Sequence, residues 1–303
     1  MSLVAIILVV LSAFMHAGWN LLSKRQNPSA AFFLVASIAG ALLFTPTLVL
    51  YWDTVAHDIP PRVWTLILIT GFFMALYYVS LAGAYRAGDM SVAYPLARSS
   101  PVIVVMVVTL ILGRGEQIST VCVTGIILVV GGCFLIPLTR FSELRLRNYL
   151  NPICILALLA AVGTSGYSIV DDEALRLLRT DAQVTIGNTQ LTLLYACLEA
   201  LAASFMLSLF VLLRRSGRSR LSRVLHTNKR HAVLAGVAIF LTYVIVLIAL
   251  AFVNNVSYVV GFRQLSIPLG VIFGVLVLKE PPHAPKLAGV TIMSVGLIMV
   301  AIG

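Results

Sequence analysis

The chain has 303 residues, 60% of them hydrophobic and only 11% charged, with 21 Lys and Arg against 11 Asp and Glu for a formal net charge of +10. A soluble domain of this length has too little interior to hide so much apolar side chain, so the composition excludes a soluble globular protein.

Ten long apolar stretches are read in chain order: Ser2–Leu22, Ala30–Trp52, Val63–Tyr85, Ser91–Leu112, Ile118–Pro137, Leu150–Val170, Thr189–Leu213, Ala232–Val253, Val256–Leu278 and Ala284–Ile302. About 20 apolar residues cross the ~30 Å hydrocarbon core as a helix. Only helices and closed barrels satisfy the backbone there, and the ~10-residue alternating strands of a barrel are absent. The expected fold is all-α and integral to the membrane, with ten transmembrane helices. The first span has no basic residue ahead of its apolar run and Lys24-Arg25 behind it, so it reads as a retained helix rather than a cleavable signal peptide. Arg140–Tyr149, Asp171–Asn188 and Arg214–His231 remain as the largest connections.

The second five spans repeat the first five. Gly18-Trp19-Asn20 in the first span falls on Gly166-Tyr167-Ser168 in the sixth. Ala84-Tyr85 and Ser91 fall on Ala251-Phe252 and Ser257, and Glu116, Gly125 and Gly132 recur with the same spacing as Glu280, Gly289 and Gly296. These matches divide the chain into two homologous halves, residues 1–139 and 140–303. Five spans per half means the second half enters the membrane inverted. Inverted repeats with a site near the midplane are a transporter signature.

Fifteen Lys and Arg lie in the odd-numbered connections, and only Arg62, Arg114, Arg176 and Arg179 in the even-numbered ones. By the positive-inside rule the odd connections are cytoplasmic and both termini are outside. The basic run Arg214–Arg230 dominates this reading; it is expected to be a solvated inner-face loop near anionic lipid rather than a nucleic-acid site.

No Gly-x-x-x-x-Gly-Lys loop, His-Glu-x-x-His pair or paired-Cys spacing occurs, so no ATP drive, metal or cofactor is expected. Nothing resembles a Ser-His-Asp constellation, and no catalysis is expected. Cys122, Cys133, Cys154 and Cys197 lie inside spans and read as small packing residues.

Charges inside a span cost at least ~2.5–3.5 kcal/mol and usually face the protein interior. Arg98 lies about eight residues into the fourth span and Arg263 about eight into the ninth. At nearly equivalent repeat positions in inverted halves they should bracket the midplane, with Arg98 nearer the cytoplasm. Each could bind substrate, tie down carbonyls freed by Pro95, Pro101 or Pro268, or pair with Glu199, which lies near the centre of the seventh span. In the first span Ser12, His16, Trp19, Asn20 and Ser23 form one helical stripe; Thr164, Tyr167, Ser168 and Asp171 answer it in the sixth. Gly270 and Gly274 in the ninth span permit close helix packing, and a dimer face is one use of them.

Ten helices in two inverted halves, the His16–Asn20 run, Ser91–Pro101, and Glu116 and Glu280 followed by glycine-spaced helices resemble the EamA type of the drug/metabolite transporter superfamily. The resemblance implies a central cavity lined by helices 1, 3, 4, 6, 8 and 9, with helices 5 and 10 at the periphery. It also implies that substrate moves outward, often against protons. Better-known ten-helix members have cytoplasmic termini, opposite to the charge bias here. Small multidrug pumps of the superfamily bind protons on a first-helix glutamate, a position occupied here by His16.

The expected function is non-ATP secondary transport of a small anionic or zwitterionic metabolite, an amino acid, organic acid or organophosphorus compound, by alternating access. Guanidinium forks of Arg98 and Arg263 suit carboxylate and phosphate oxygens. His16, Trp19, Asn20, Tyr78, Tyr94, Tyr167, Ser168, Tyr243, Tyr258 and Gln264 are the further expected substrate contacts, with His16 and Glu199 as proton-coupling candidates. Expected partners are the substrate, membrane lipid and a coupling proton, in a monomer or homodimer with no nucleic acid. An exporter of hydrophobic or cationic drugs, served by the tyrosines, and a lipid-handling or non-transporting membrane protein are the alternatives.

Overall fold

Backbone amides that cannot reach water must bond within their own segment, and this chain answers that demand with helices. The computed structural model describes residues 3–111, 119–181, 184–250 and 265–302. It is 88% helix, with no strand among the described residues. The helices are α1 (Leu3–Arg25), α2 (Ala30–Leu50), α3 (Pro61–Ala87), α4 (Met90–Ile111), α5 (Thr120–Leu135), α6 (Pro152–Thr180), α7 (Asn188–Leu212), α8 (Arg215–Arg223), α9 (Lys229–Leu250), α10 (Ser266–Val277) and α11 (Ala284–Ile302).

Among the described residues six helical segments are long and apolar enough to cross a membrane: α1, α2, α3, α6, α7 and Arg215–Val246, which joins α8 to α9. Their outer faces are apolar. Leu42, Ile127 and Leu276 are 64–67% exposed, the wrong surface for water and the right one for hydrocarbon. The protein is an integral membrane protein.

Helix ends follow local chemistry. α1 stops where Asn27 takes a left-handed φ of 48° ahead of Pro28, with Asn27 N–H donating to the Lys24 carbonyl. The Ser119 hydroxyl accepts from Cys122 N–H at the start of α5, and the Asn151 side chain accepts from Cys154 N–H at the start of α6. The apolar run predicts that the sixth helix ends at Val170, with Asp171 in a connection. Instead α6 continues to Thr180. Asp171 has side-chain donors on two neighbouring helices, and Glu173 pairs with Arg176 one turn on.

The chain packs as two compact units, each drawn from both sequence halves. One comprises Met1–Asn27, Ser80–Ala161 and Ala238–Gly303; the other comprises Pro28–Val79 and Val162–Val237. In the first unit α5 and α11 lie antiparallel along paired glycines. A Cβ on Gly125 would meet the Gly296 carbonyl at 2.6 Å, and one on Gly296 the Gly125 carbonyl at 2.5 Å. Gly132 and Gly289 meet in the same reciprocal way, at 2.5 and 2.7 Å. Hydrocarbon offers no hydrophobic drive between helices, so such close backbone approach supplies the packing energy instead. α1 and α4 pack on α10 in the same unit. Gly270 lies against the Tyr94 ring, and Gly274 against Glu280 and Ser91. Both glycines that sequence offered as a dimer face are thus used inside the chain.

In the second unit α2 packs along α7. A core of Val63 and Ile67 from α3, Ala174 and Leu178 from α6, and Leu191, Leu194, Leu198 and Ala202 from α7 closes one end. Gly71 meets Ala202, while Gly163 and Gly166 bring α6 onto Phe73 and Tyr77 of α3.

Candidate functional site

In the first unit the α1 stripe splits into holding residues and facing residues. Ser12 Oγ donates to the Thr242 carbonyl of α9 at 3.3 Å, and Ser23 Oγ to the Trp19 carbonyl at 2.8 Å. Asn20 is fully buried. Its amide donates to the His16 carbonyl at 2.8 Å, and its Oδ1 accepts from Tyr85 OH at 2.6 Å. Both bonds lie inside the unit, so Asn20 joins α1 to α3. Lys24 Nζ donates to the Tyr85 and Gly88 carbonyls and so caps the C-terminal turn of α3.

His16 and Trp19 turn toward α4. Trp19 Nε1 donates to His16 Nδ1 at 3.4 Å, with the two rings edge-on at 5.1 Å. His16 lies 6.1 Å, centroid to centroid, from the Tyr94 ring. Arg98 sits one turn beyond Tyr94 on the same face of α4. Its Nε is buried and has no hydrogen-bond partner among the described residues. The ion pairs found among those residues, Arg62–Glu173, Arg176–Glu173 and Lys286–Asp89, leave Arg98 out. A buried guanidinium N–H with no acceptor is costly unless a further group arrives to meet it. Ser99 and Ser100, just past Arg98, turn to Cys133 of α5 at 3.6 and 3.9 Å. Tyr243, half-buried on α9, belongs to the same unit.

Arg263, Gln264 and Tyr258 lie outside the described residues.

At one end of the first unit a polar knot fixes α4. Glu280 accepts from the Met90 and Ser91 amides at 2.7 and 2.8 Å, placing a carboxylate on a helix N-terminus. Lys286 is buried. Its Nζ donates to Ser91 Oγ at 2.8 Å, the Pro281 carbonyl at 3.0 Å and Asp89 Oδ2 at 3.3 Å. The glutamate that sequence singled out only as a repeat marker thus sets the start of the helix carrying Tyr94 and Arg98. A cavity of about 220 Å³ beside the knot is lined by Asp89, His283, Lys286 and Asn151.

The second unit holds aromatics and acids. Phe33 and Tyr78 stack at 4.9 Å, Tyr77 lies 5.0 Å from Tyr78, and Tyr167 meets Tyr77 at 6.2 Å. Asp171 Oδ1 accepts from Thr70 Oγ1 at 2.6 Å and from Tyr195 OH at 2.7 Å. Glu199 stands one turn along α7 from Tyr195. Neither acid enters an ion pair among the described residues. Ser168 is exposed.

Sequence reasoning missed Thr70, Asp171 and Tyr195 as one centre. The available signals were Asp171 closing the polar stripe of the sixth span and Tyr195 four residues before Glu199.

Among curated proteins, none matches this sequence. A solved chain described only as "Crystal structure of protein" superposes with a TM-score of 0.56 at 16% identity, covering 98% of this chain and 96% of its own; that likeness is one of fold. The model of the EamA-like transporter family matches residues 3–138. Those residues carry α1 through α5, with His16, Trp19, Tyr94 and Arg98 among them. Residues 3–138, the first half of the chain, are thus similar to the EamA-like transporter family of the drug/metabolite transporter superfamily.

Proposed function

We propose that this protein is a secondary transporter that moves a small anionic or zwitterionic metabolite out of the cell by alternating access. In this reading it has ten membrane-spanning helices arranged as two inverted repeats. The reciprocal contacts Gly125–Gly296 and Gly132–Gly289 support the repeat. Exchanging the two halves by their sequence alignment turns each of these contacts into the other, as a two-fold relation between α5 and α11 requires. The charge bias supports cytoplasmic odd connections in a plasma or inner membrane.

The observation that carries the substrate class is Arg98, with its buried Nε unpartnered in an apolar span. A carboxylate or phosphate oxygen would satisfy it, and Tyr94, His16 and Trp19 supply the aromatic surround. The test is uptake into proteoliposomes of a panel of amino acids, organic acids and phosphate esters. A charge-assisted hydrogen bond is worth about 1.5–3 kcal/mol, so Arg98→Gln should weaken the accepted substrate by roughly 10- to 150-fold while the protein still melts as the wild type does. Unchanged transport by a folded Arg98→Gln protein would remove the anion reading.

A second reading, export of hydrophobic cations, draws on the second unit, where the Phe33–Tyr78–Tyr77–Tyr167 aromatics and the acids Asp171 and Glu199 offer π faces and negative charge. In the same panel, transport of organic cations that survives Arg98→Gln and dies with Asp171→Asn or Tyr78→Ala would establish it.

Coupling to protons completes the proposal, with His16 and Glu199 as carriers and Asp171 as partner of Glu199. Two like charges held near one another in hydrocarbon are expensive, and a proton between them relieves the repulsion. With an imposed pH gradient, the carrier's neutral variant, His16→Ala or Glu199→Gln, should lose the gradient's effect yet keep substrate exchange. Wild-type transport indifferent to the gradient would make the protein a facilitator.

A further inference from the structure

From the end of α7 into the first turn of α9 the chain carries seven Lys and Arg and no acidic residue: Arg214, Arg215, Arg218, Arg220, Arg223, Lys229 and Arg230. Sequence suggests a solvated inner-face loop near anionic lipid, but residues 215–223 form helix α8 and a π-helical turn, Val224–Asn228, follows. The segment is therefore a shaped surface.

Its two sides differ in chemistry. Gly217 lies against the Val211 carbonyl, Leu221 is half-buried, and Val224 is buried at 6% exposure. These positions hold α8 to the end of α7. Arg218 strengthens the attachment by donating from Nη1 to the Leu212 carbonyl at 2.6 Å, and Arg214 lies over the Phe210 ring at 4.2 Å. Arg215, Arg220 and Arg223 remain exposed, and no ion pair among the described residues uses them. Three exposed guanidiniums therefore project from a short helix fixed to the end of a membrane-spanning one. Leu213 and Leu225 beside them are 79% and 45% exposed. Apolar side chains flanking cations at the end of a span fit the level where acyl chains give way to headgroups.

We propose that α8 is an interfacial helix that binds the phosphates of anionic phospholipids through Arg215, Arg220 and Arg223, with Leu213 and Leu225 entering the acyl region. Charge complementarity decides the occupant. A run of cations with no carboxylate repels basic partners and attracts a surface of fixed negative charge, and a guanidinium grips a phosphate through two parallel N–H bonds. The inference does not depend on what the protein transports.

The test uses the purified full-length chain in detergent, titrated with phosphatidylglycerol or phosphatidylcholine and read by native mass spectrometry. The wild type should retain phosphatidylglycerol about tenfold better than phosphatidylcholine. The triple variant Arg215→Gln/Arg220→Gln/Arg223→Gln should lose that preference, whereas Arg62→Gln/Arg176→Gln, which removes the same kind of charge from the Glu173 cluster, should keep it. Thermal melting of each variant shows that it is folded, and single Arg220→Gln and Arg223→Gln variants, each expected to lose a few-fold in preference, serve if the triple is not. Equal retention of both lipids by the wild type, or a preference that survives the triple substitution, overturns the proposal. Displacement of the lipid by millimolar inorganic phosphate, or by a DNA duplex, would also overturn it by showing a free-anion or nucleic-acid site.

Discussion

Single residues in this protein hold or face, and the difference was invisible before packing. Asn20 and His16 share one stripe, yet Asn20 is fully buried between the His16 carbonyl and Tyr85 OH, while His16 meets Trp19 and Tyr94. Asn20→Ala removes the acceptor for Tyr85 OH, and losing a buried partner costs about 1–3 kcal/mol. A lower melting temperature, with unchanged substrate affinity per folded molecule, is the expected result; an affinity loss without a stability loss would make Asn20 a substrate contact. Outside the membrane, Glu143 offers a pH test. Hydrogen bonds to its Oε2 from the Thr139 hydroxyl at 2.6 Å and the Thr139 amide at 3.1 Å, with a lesser share from Arg140, hold its carboxyl below the usual carboxylate range. A depressed folded pKa stabilises the α5–α6 connection above the unfolded value of ~4.3, and that contribution disappears as pH falls through the lower folded value. Amide exchange at Thr139 and Arg140 should therefore be flat from neutral pH to about pH 5, once corrected for intrinsic rates, and lose protection below about pH 4. Glu143→Gln should weaken that protection at neutral pH and remove its acid dependence.

Among the helices, α5 gives the sharpest contrast because two adjacent glycines face opposite ways. A Cβ on Gly131 would have nothing within 4 Å, whereas one on Gly132 would meet the Gly289 carbonyl at 2.5 Å and Met293 Cβ at 2.7 Å. Alanine favours a helix over glycine by up to ~1 kcal/mol, so Gly131→Ala should be neutral or slightly stabilising. Gly132→Ala must push two backbones apart, and overpacking of that kind costs about 1–3 kcal/mol. Thermal melting in detergent checks both, and equal effects would contradict the α5–α11 packing. The glycine spacing was legible in sequence. Its use was not, because no residue pattern says which of two neighbouring glycines faces a partner helix.

At the scale of the whole molecule, orientation is the open physical question that charge addresses. The excess of Lys and Arg in odd-numbered connections, with α8 as its largest block, predicts that the C-terminus faces outward. A cysteine added at the C-terminus should react with a membrane-impermeant maleimide in intact cells. Reaction only after permeabilisation would reverse the orientation and place the α8 arginines on the outer surface.

The amino-acid sequence by itself determined that this is a helical membrane protein whose first half is similar to the EamA-like transporter family, and roughly where its helices run. Apolar length and the distribution of charge are local properties, and hydrocarbon reads them segment by segment. α11 matches its expected bounds at Ala284–Ile302, and α7 falls within one residue of them at each end. Only the tertiary structure decided which polar groups meet. Asp171 finds Thr70 across 101 residues, and Glu280 reaches Met90 across 190. Such pairings come from helix packing, where a rotation of one helix by a single residue replaces one partner with another. A run of side chains therefore shows that polar groups lie within the bundle, and packing alone shows which of them are satisfied and which, like Arg98 Nε, still lack a partner among the described residues.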